Sequence, residues 1–119
     1  MRLIVAGSRD FKDYELLERE VLKFIKKHKE VDESVEVISG RARGADKLGE
    51  VFADKFGLKK HIKPADWDKH GRAAGFIRNR EMVSEATHCI CFWDRKSSGT
   101  KNTIQLSEEK GIPLCVIEF

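Results

Sequence analysis

The sequence predicts an α/β fold with a five-stranded parallel sheet, and three observations carry that expectation. Five short apolar runs recur along the chain, and helical segments separate each from the next. The first run, Leu3-Ile4-Val5-Ala6, is apolar throughout, as a strand buried on both faces is. Strand-helix-strand repetition implies right-handed crossovers and helices on both faces of the sheet, a Rossmann-like three-layer sandwich. If the chain starts in mid-sheet, the strand order is 3-2-1-4-5, with the topological switch between strands 1 and 4.

Each element has its own justification. Gly7 stops the first strand. From Asp13, a plausible N-cap, Tyr14, Leu17, Val21, Phe24 and Ile25 recur at helical spacing with charged residues between them, predicting a helix to about Lys29. Val35 to Ile38 reads as strand 2, ending at Ser39-Gly40. Ala45, Leu48, Gly49, Phe52, Ala53 and Phe56 mark one face of helix 2, with Gly57 placed to end it. Leu58 to Lys63 is a poorer strand whose lysines suit a sheet margin. Pro64 to Gly75, with Gly71 and several polar residues, reads as a long loop before a third helix from about Phe76 to Glu85, and long loops in small domains are usually functional. His88 to Trp93 is strand 4. A fourth helix runs from near Gly99-Thr100 to just before Gly111, and Pro113 to Ile117 is strand 5.

Composition bounds the rest. At 119 residues, 40% hydrophobic and 36% charged, residues 1–119 are expected to form one domain. No run approaches the roughly 18 to 20 apolar residues of a membrane span, and no secretory signal is visible. A net charge of +3 is too small to drive duplex nucleic-acid binding through bulk charge. Cys89, Cys91 and Cys115 form no Cys-x-x-Cys pair and read as core residues of a cytoplasmic protein. The four histidines lack metal-ligand spacing, so neither a metal nor a cofactor is expected.

Ligands of such sheets bind beyond the strand carboxyl ends, beside the switch. The segments predicted there are Gly7 to Phe11, Ser39 to Asp46, Trp93 to Thr100, and the stretch Asp66 to Glu81. Seven of nine arginines fall in them: Arg9, Arg41, Arg43, Arg72, Arg78, Arg80 and Arg95. Guanidinium groups suit bidentate phosphate recognition, and glycines let backbone amides approach an anion at a helix N-terminus. Each signal has a plainer alternative. Gly40 and Gly44 either cradle phosphate or shape a turn, Ser97 to Thr100 either bind or merely cap a helix, Trp67 either stacks on a base or fills space, and His70 is either an acid-base group or a surface residue.

Taken in order, Gly7-Ser8-Arg9-Asp10-Phe11, Ser39-Gly40, Arg43-Gly44-Ala45-Asp46, Ala65-Asp66-Trp67, His70-Gly71, Ala74-Gly75 with Ile77 to Met82, Gly99-Thr100 and Gly111-Ile112-Pro113 resemble the YspA-type branch of the SLOG superfamily over nearly the whole chain. The resemblance implies a Rossmann-like fold and a site for nucleotides or nucleotide-derived molecules. Better-known relatives include the LOG-type phosphoribohydrolases, which cleave the N-glycosidic bond of nucleoside monophosphates, and the single-strand-binding protein DprA. Arg78 matches the position of the LOG arginine. The LOG glutamate is missing, because Lys101, Asn102 and Thr103 follow Gly99-Thr100.

The leading expectation is binding of a nucleotide or nucleotide-derived small molecule, such as an ADP-ribose or NAD-like compound. Gly7, Ser8, Gly40, Gly44, Ser98, Gly99 and Thr100 supply amides and hydroxyls to phosphate, and Arg9, Arg43 and Arg78 supply countercharge. Asp46 bonds a ribose hydroxyl, Asn79 holds a polar ligand edge and Trp67 closes over the base. Two alternatives stand beside it. One is an N-glycosidase in which Asp10 or Glu81 replaces the absent glutamate and Arg78 grips phosphate. The other is single-stranded nucleic-acid binding, for which Phe11, Trp67 and Trp93 are the loop aromatics. A homodimer or larger homo-oligomer is expected from the relatives' habit.

Overall fold

Alternation along the first strand decides the architecture. In the computed structural model, which describes all 119 residues, β1 (Arg2–Gly7) turns Leu3 and Val5 to one face of the sheet and Ile4 and Ala6 to the other. Both faces therefore need cover. Helices α1 (Tyr14–His28) and α2 (Ala45–Lys55) pack on the first face, where Leu17, Val21, Phe24, Phe52 and Ala53 meet Val37, Ile90 and Phe92. Helices α4 (Ala74–Glu85) and α5 (Ser98–Lys110) cover the second, closing Met82, Val83 and Ile104 over Ile38, Cys89 and Cys91. Burying side chains of this size stabilises by about 1.5–3 kcal/mol each before entropy is counted.

The remaining strands are β2 (Glu36–Ser39), β3 (Lys59–Ile62), β4 (His88–Trp93) and β5 (Leu114–Glu118). All pairings are parallel, and the order is β3-β2-β1-β4-β5, as predicted. The switch lies between β1 and β4, where Gly7 stands opposite Phe92. Lysine-bearing β3 is an edge. There Lys60 meets Asp54 at 2.8 Å and His61 meets Glu36 at 2.6 Å.

Helix ends follow the sequence signals. The Asp13 carboxylate accepts the Leu16 amide at 3.1 Å, Gly57 takes φ +65° after α2, and Gly111 at φ +79° ends α5. One expectation needs correction. Pro64 to Gly75 is not a long open loop: Asp66 caps a single helical turn, α3 (Trp67–His70), and a 3-10 turn over Gly71–Ala73 leads directly into α4. No apolar periodicity marks so short and polar a turn, so sequence pattern does not reveal it. Cys89 and Cys91 lie on one side of β4, fully buried with their sulfurs 3.6 Å apart, and the contact with Cys89, reinforced by burial, drives the Cys91 thiol well up. No helix is long and apolar enough to cross a membrane.

Candidate functional site

The carboxyl ends of β1, β2 and β4 open into one cleft, and the β1 loop shapes its floor. Gly7, at φ +156°, lets β1 approach β4 so closely that a Cβ there would land on the Phe92 carbonyl oxygen. Ser8 follows, buried, its amide donating to that same oxygen at 2.9 Å and its hydroxyl accepting the Asp94 amide at 3.1 Å. Phe11 anchors the far end in the core, its ring 4.8 Å from those of both Phe92 and Phe119. Phe11 is therefore not a loop aromatic open to stacking, contrary to the sequence expectation. Between the two anchors, exposed Arg9 reaches into the cleft.

The β2 loop crosses directly over that floor. Gly44, at φ +83°, passes the Ser8 and Arg9 carbonyls so tightly that a Cβ would collide with both. This close crossing accounts for the glycine on steric grounds. Ser39 donates from Oγ to Glu50 at 2.8 Å and accepts the Arg41 amide at 3.1 Å, while Arg41 donates to Glu50 at 3.0 Å. Burial alone would raise the Glu50 carboxyl, but those two donors outweigh it and hold it below the ordinary value. Arg41, although exposed, is thus a partner for Glu50, and Arg43 is the exposed cation of this loop with no carboxylate beside it.

Arg78 links the walls. It projects from α4, donating from Nη1 to the Gly40 carbonyl at 2.5 Å and from Nε to Asn79 Oδ1 at 3.0 Å. A Cβ on Gly40 would stand 2.6 Å from Arg78 Nη1 and 2.8 Å from Asp46 Oδ2, so the residue has no room for a side chain. Asn79 spends both amide protons inside the protein, on the Gly99 carbonyl at 3.2 Å and Asn102 Oδ1 at 3.0 Å. It clamps α4 to α5 and orients Arg78, which is a different task from holding a ligand edge directly. The Ser8 hydroxyl and amide, likewise engaged with Asp94 and Phe92, serve the loop's shape.

Asp46 sits at the start of α2, only 4% exposed, accepting the Ala42 amide at 3.2 Å. Burial pushes its carboxyl up to about 6, against the pull of Arg78 and of the Ala42 and Gly7 amides. The same burial lowers Arg78, where the neighbouring Arg9 charge acts in the same direction and Asp46 opposes. One reluctant carboxylate thus faces two guanidiniums.

Asp46 makes stability depend on pH with a definite sign. Its folded pKa lies above the ordinary value, so the folded state favours the proton. Stability is greatest below about pH 4, falls as pH rises through the interval to about 6, and is level above. Two units amount to ~3 kcal/mol. Urea denaturation of Asp46→Asn beside the wild type should show the difference moving by up to ~3 kcal/mol in the variant's favour between pH 4 and pH 7. A constant difference would show that Asp46 titrates as an ordinary carboxylate.

The fourth wall is the start of α5. The Asp94 carboxylate accepts the Ser97 and Lys96 amides at 2.9 and 2.8 Å, bonds that hold it below the ordinary value. Ser97 is the N-cap, receiving the Thr100 amide at 3.3 Å and the Thr100 hydroxyl at 3.0 Å. The Trp93 indole donates to the Ser97 carbonyl at 3.1 Å. Ser98 and Gly99, in the first turn, are exposed to the cleft with the unpartnered-amide end of the helix beneath them.

Five of the seven rim arginines line the cleft: Arg9, Arg41, Arg43, Arg72 and Arg78. Arg80 is exposed away from it, and Arg95 stands 3.8 Å from Glu118. Asp10 is exposed outside the cleft. Glu81 is exposed on a separate groove beyond Arg78, shared with Asp66 and His70. Trp67 is 52% exposed on the cleft wall, and so is Phe76 at 47%, which sequence reading left unassigned. Its only signal in sequence is an aromatic in the first turn of α4, beside Ala74, Gly75 and Ile77.

Fold and cleft together define a Rossmann-like domain with an arginine-walled site at the topological switch. The chain belongs to the YspA, cpYpsA-related SLOG family, whose model matches residues 1–70. Gene 61 protein of Mycobacterium phage D29 is 34% identical over 128 residues, covering 99% of this chain and 95% of the relative. No solved structure matches.

Proposed function

We propose that this protein binds a nucleotide or nucleotide-derived small molecule, of the ADP-ribose or NAD-like kind, at the cleft between β1 and β4. One observation carries the reading: Arg9 and Arg78 face the same hollow, with Asp46, its carboxyl raised to about 6, as the carboxyl group lining it. Two clustered guanidiniums repel each other until an anion arrives, and a phosphate accepts from both in bidentate fashion. Gly99 and Ser98 add the amide end of α5, and exposed Trp67 adds a stacking face. Membership of a SLOG family accords with a nucleotide-type ligand.

A phosphate beside Arg78 also favours the protonated form of Asp46, so binding takes up a proton near pH 6 to 7. Titration calorimetry with adenine, guanine and uracil nucleotides, repeated in two buffers of different ionisation enthalpy, tests both points. Saturable binding with proton uptake is the expected result. No binding of any nucleotide at millimolar concentration rejects the reading.

Asp46 also favours a second reading, hydrolysis of an N-glycosidic bond. A carboxyl poised near 6 inside the cleft is able to give a proton to a leaving base, a role that exposed Asp10 and Glu81 are badly placed to fill. Chromatography of the same mixtures decides it: free base released by the wild type and not by Asp46→Asn supports turnover, and no base from any nucleotide dismisses it.

A further inference from the structure

The two edges of the sheet are built differently. At one, β3 and the residue after it carry Lys60, His61 and Lys63, which pair with Asp54, Glu36 and Glu85. Charges of this kind keep another strand from adding to an edge. At the other, β5 presents Leu114-Cys115-Val116-Ile117, all apolar and all half-buried, and no strand lies beyond it. Cys115 and Ile117 extend the core beneath α1 and α2, and Leu114 and Val116 extend the core beneath α4 and α5. Glu118, the strand's one charge, lies past the apolar run and faces Arg95 at 3.8 Å.

Backbone pairing fixes which groups that edge leaves open. The Pro113 carbonyl accepts the Cys89 amide at 3.0 Å and the Phe119 amide donates to Trp93 at 3.2 Å, so the odd-numbered residues of β5 bond inward to β4. Period-two alternation turns the N–H and C=O of Leu114, Val116 and Glu118 outward. Laid antiparallel against a second β5 about a two-fold axis, Val116 meets its own counterpart, and Leu114 of each copy meets Glu118 of the other. Every outward donor then faces an outward acceptor, because such opposed residues exchange both bonds. Charge matches as well. On the α1 side, Glu20, Lys23 and Lys27 stand near enough to Cys115 for their charges to act on its thiol. The same axis sets α1 antiparallel beside α1 of the other copy, bringing Glu20 of each opposite Lys23 of the other.

We infer that β5 is a docking edge for a second copy of this chain, which joins the two five-stranded sheets into one continuous sheet through an antiparallel β5 pair, with Glu20 of each copy facing Lys23 of the other. A two-fold contact needs a patch that complements itself, and this edge does so in hydrogen bonds, apolar surface and charge. The cleft opens between β1 and β4 at the strand carboxyl ends, clear of the outer side of β5. The pairing is therefore independent of what the cleft binds.

Sedimentation equilibrium of the full chain should show a monomer passing to a dimer, and amide hydrogen exchange resolved by NMR on either side of that dissociation constant tests the edge itself. The Leu114, Val116 and Glu118 amides should exchange freely below it and at least ~10-fold more slowly well above it, while the Cys115 and Ile117 amides stay protected throughout. Lys23 is exposed, so Lys23→Glu leaves the fold intact. That variant should weaken the dimer at least ~10-fold, and Glu20→Lys combined with it should restore most of the loss. A chain still monomeric at millimolar concentration overturns the inference. So does a dimer in which the three outward amides exchange as freely as in the monomer, since the contact then lies on another face. A double variant as weak as Lys23→Glu alone likewise overturns it, because the two-fold register is then wrong.

Discussion

Arg78→Ala should destabilise the protein by ~3–5 kcal/mol at pH 8 and by much less at pH 5. The reason is the group it leaves behind. Asp46 is buried, and Arg78 is the largest influence holding its pKa down to about 6. Without that guanidinium an ionised Asp46 is an uncompensated buried charge, the costly half of a broken pair. At pH 5 the carboxyl takes a proton and the penalty fades, leaving only the lost bonds to the Gly40 carbonyl and Asn79. Urea midpoints at the two pH values, with Arg78→Ala/Asp46→Asn alongside, separate the effects. The double variant should recover most of the stability lost at pH 8. Equal destabilisation at both pH values would show that Arg78 acts through its hydrogen bonds alone. Nucleotide affinity should fall at least ~100-fold in the single variant, since a bidentate phosphate contact is removed.

Gly7→Ala should sharply destabilise the fold at 25 °C. The added methyl would meet the Phe92 carbonyl oxygen and stand 2.9 Å from both the Phe92 amide nitrogen and Ala45 Cβ. Two of these are backbone atoms of β4 and the third is the Cβ of the first residue of α2, so no rotamer change relieves the clash. Separating β1 from β4 sacrifices the pairing and the core behind it, a loss of more than ~4 kcal/mol against a typical stability of ~5–15. Far-ultraviolet circular dichroism would register it as lost helix and strand signal. A variant melting within a few degrees of the wild type would show that the strands can part at little cost.

The sheet was readable because each strand is a short apolar run between helices whose ends carry their own capping residues, and β4 matches its expected limits His88 to Trp93. Strand order followed from crossover handedness and the first strand's unbroken apolarity. Roles within the cleft were less legible. A sequence shows that Ser8 and Asn79 fall near the site but not that their polar atoms are spent on Asp94, Phe92, Gly99 and Asn102. It shows Phe11 in a loop, and only packing against Phe92 reveals it as core. Phe76, read in sequence only as the start of a helix, is placed on the cleft wall by the fold alone. The elevated Asp46 pKa belongs to burial, which spacing alone does not encode.

The central position of β1 also has a kinetic side. Arg2 pairs with Thr87, 85 positions further on, so the β1–β4 seam requires closing a loop of that length before its contacts return anything. The first three strands have no such wait, since β1, β2 and β3 are sequential neighbours. A chain still lacking β4 holds the Gly7 to Phe11 segment with nothing opposite it, and the cleft lacks one of its walls. A small molecule bound at that seam, as proposed above, would recognise only the finished sheet, and would hold the native state by slowing its opening rather than by hastening its assembly.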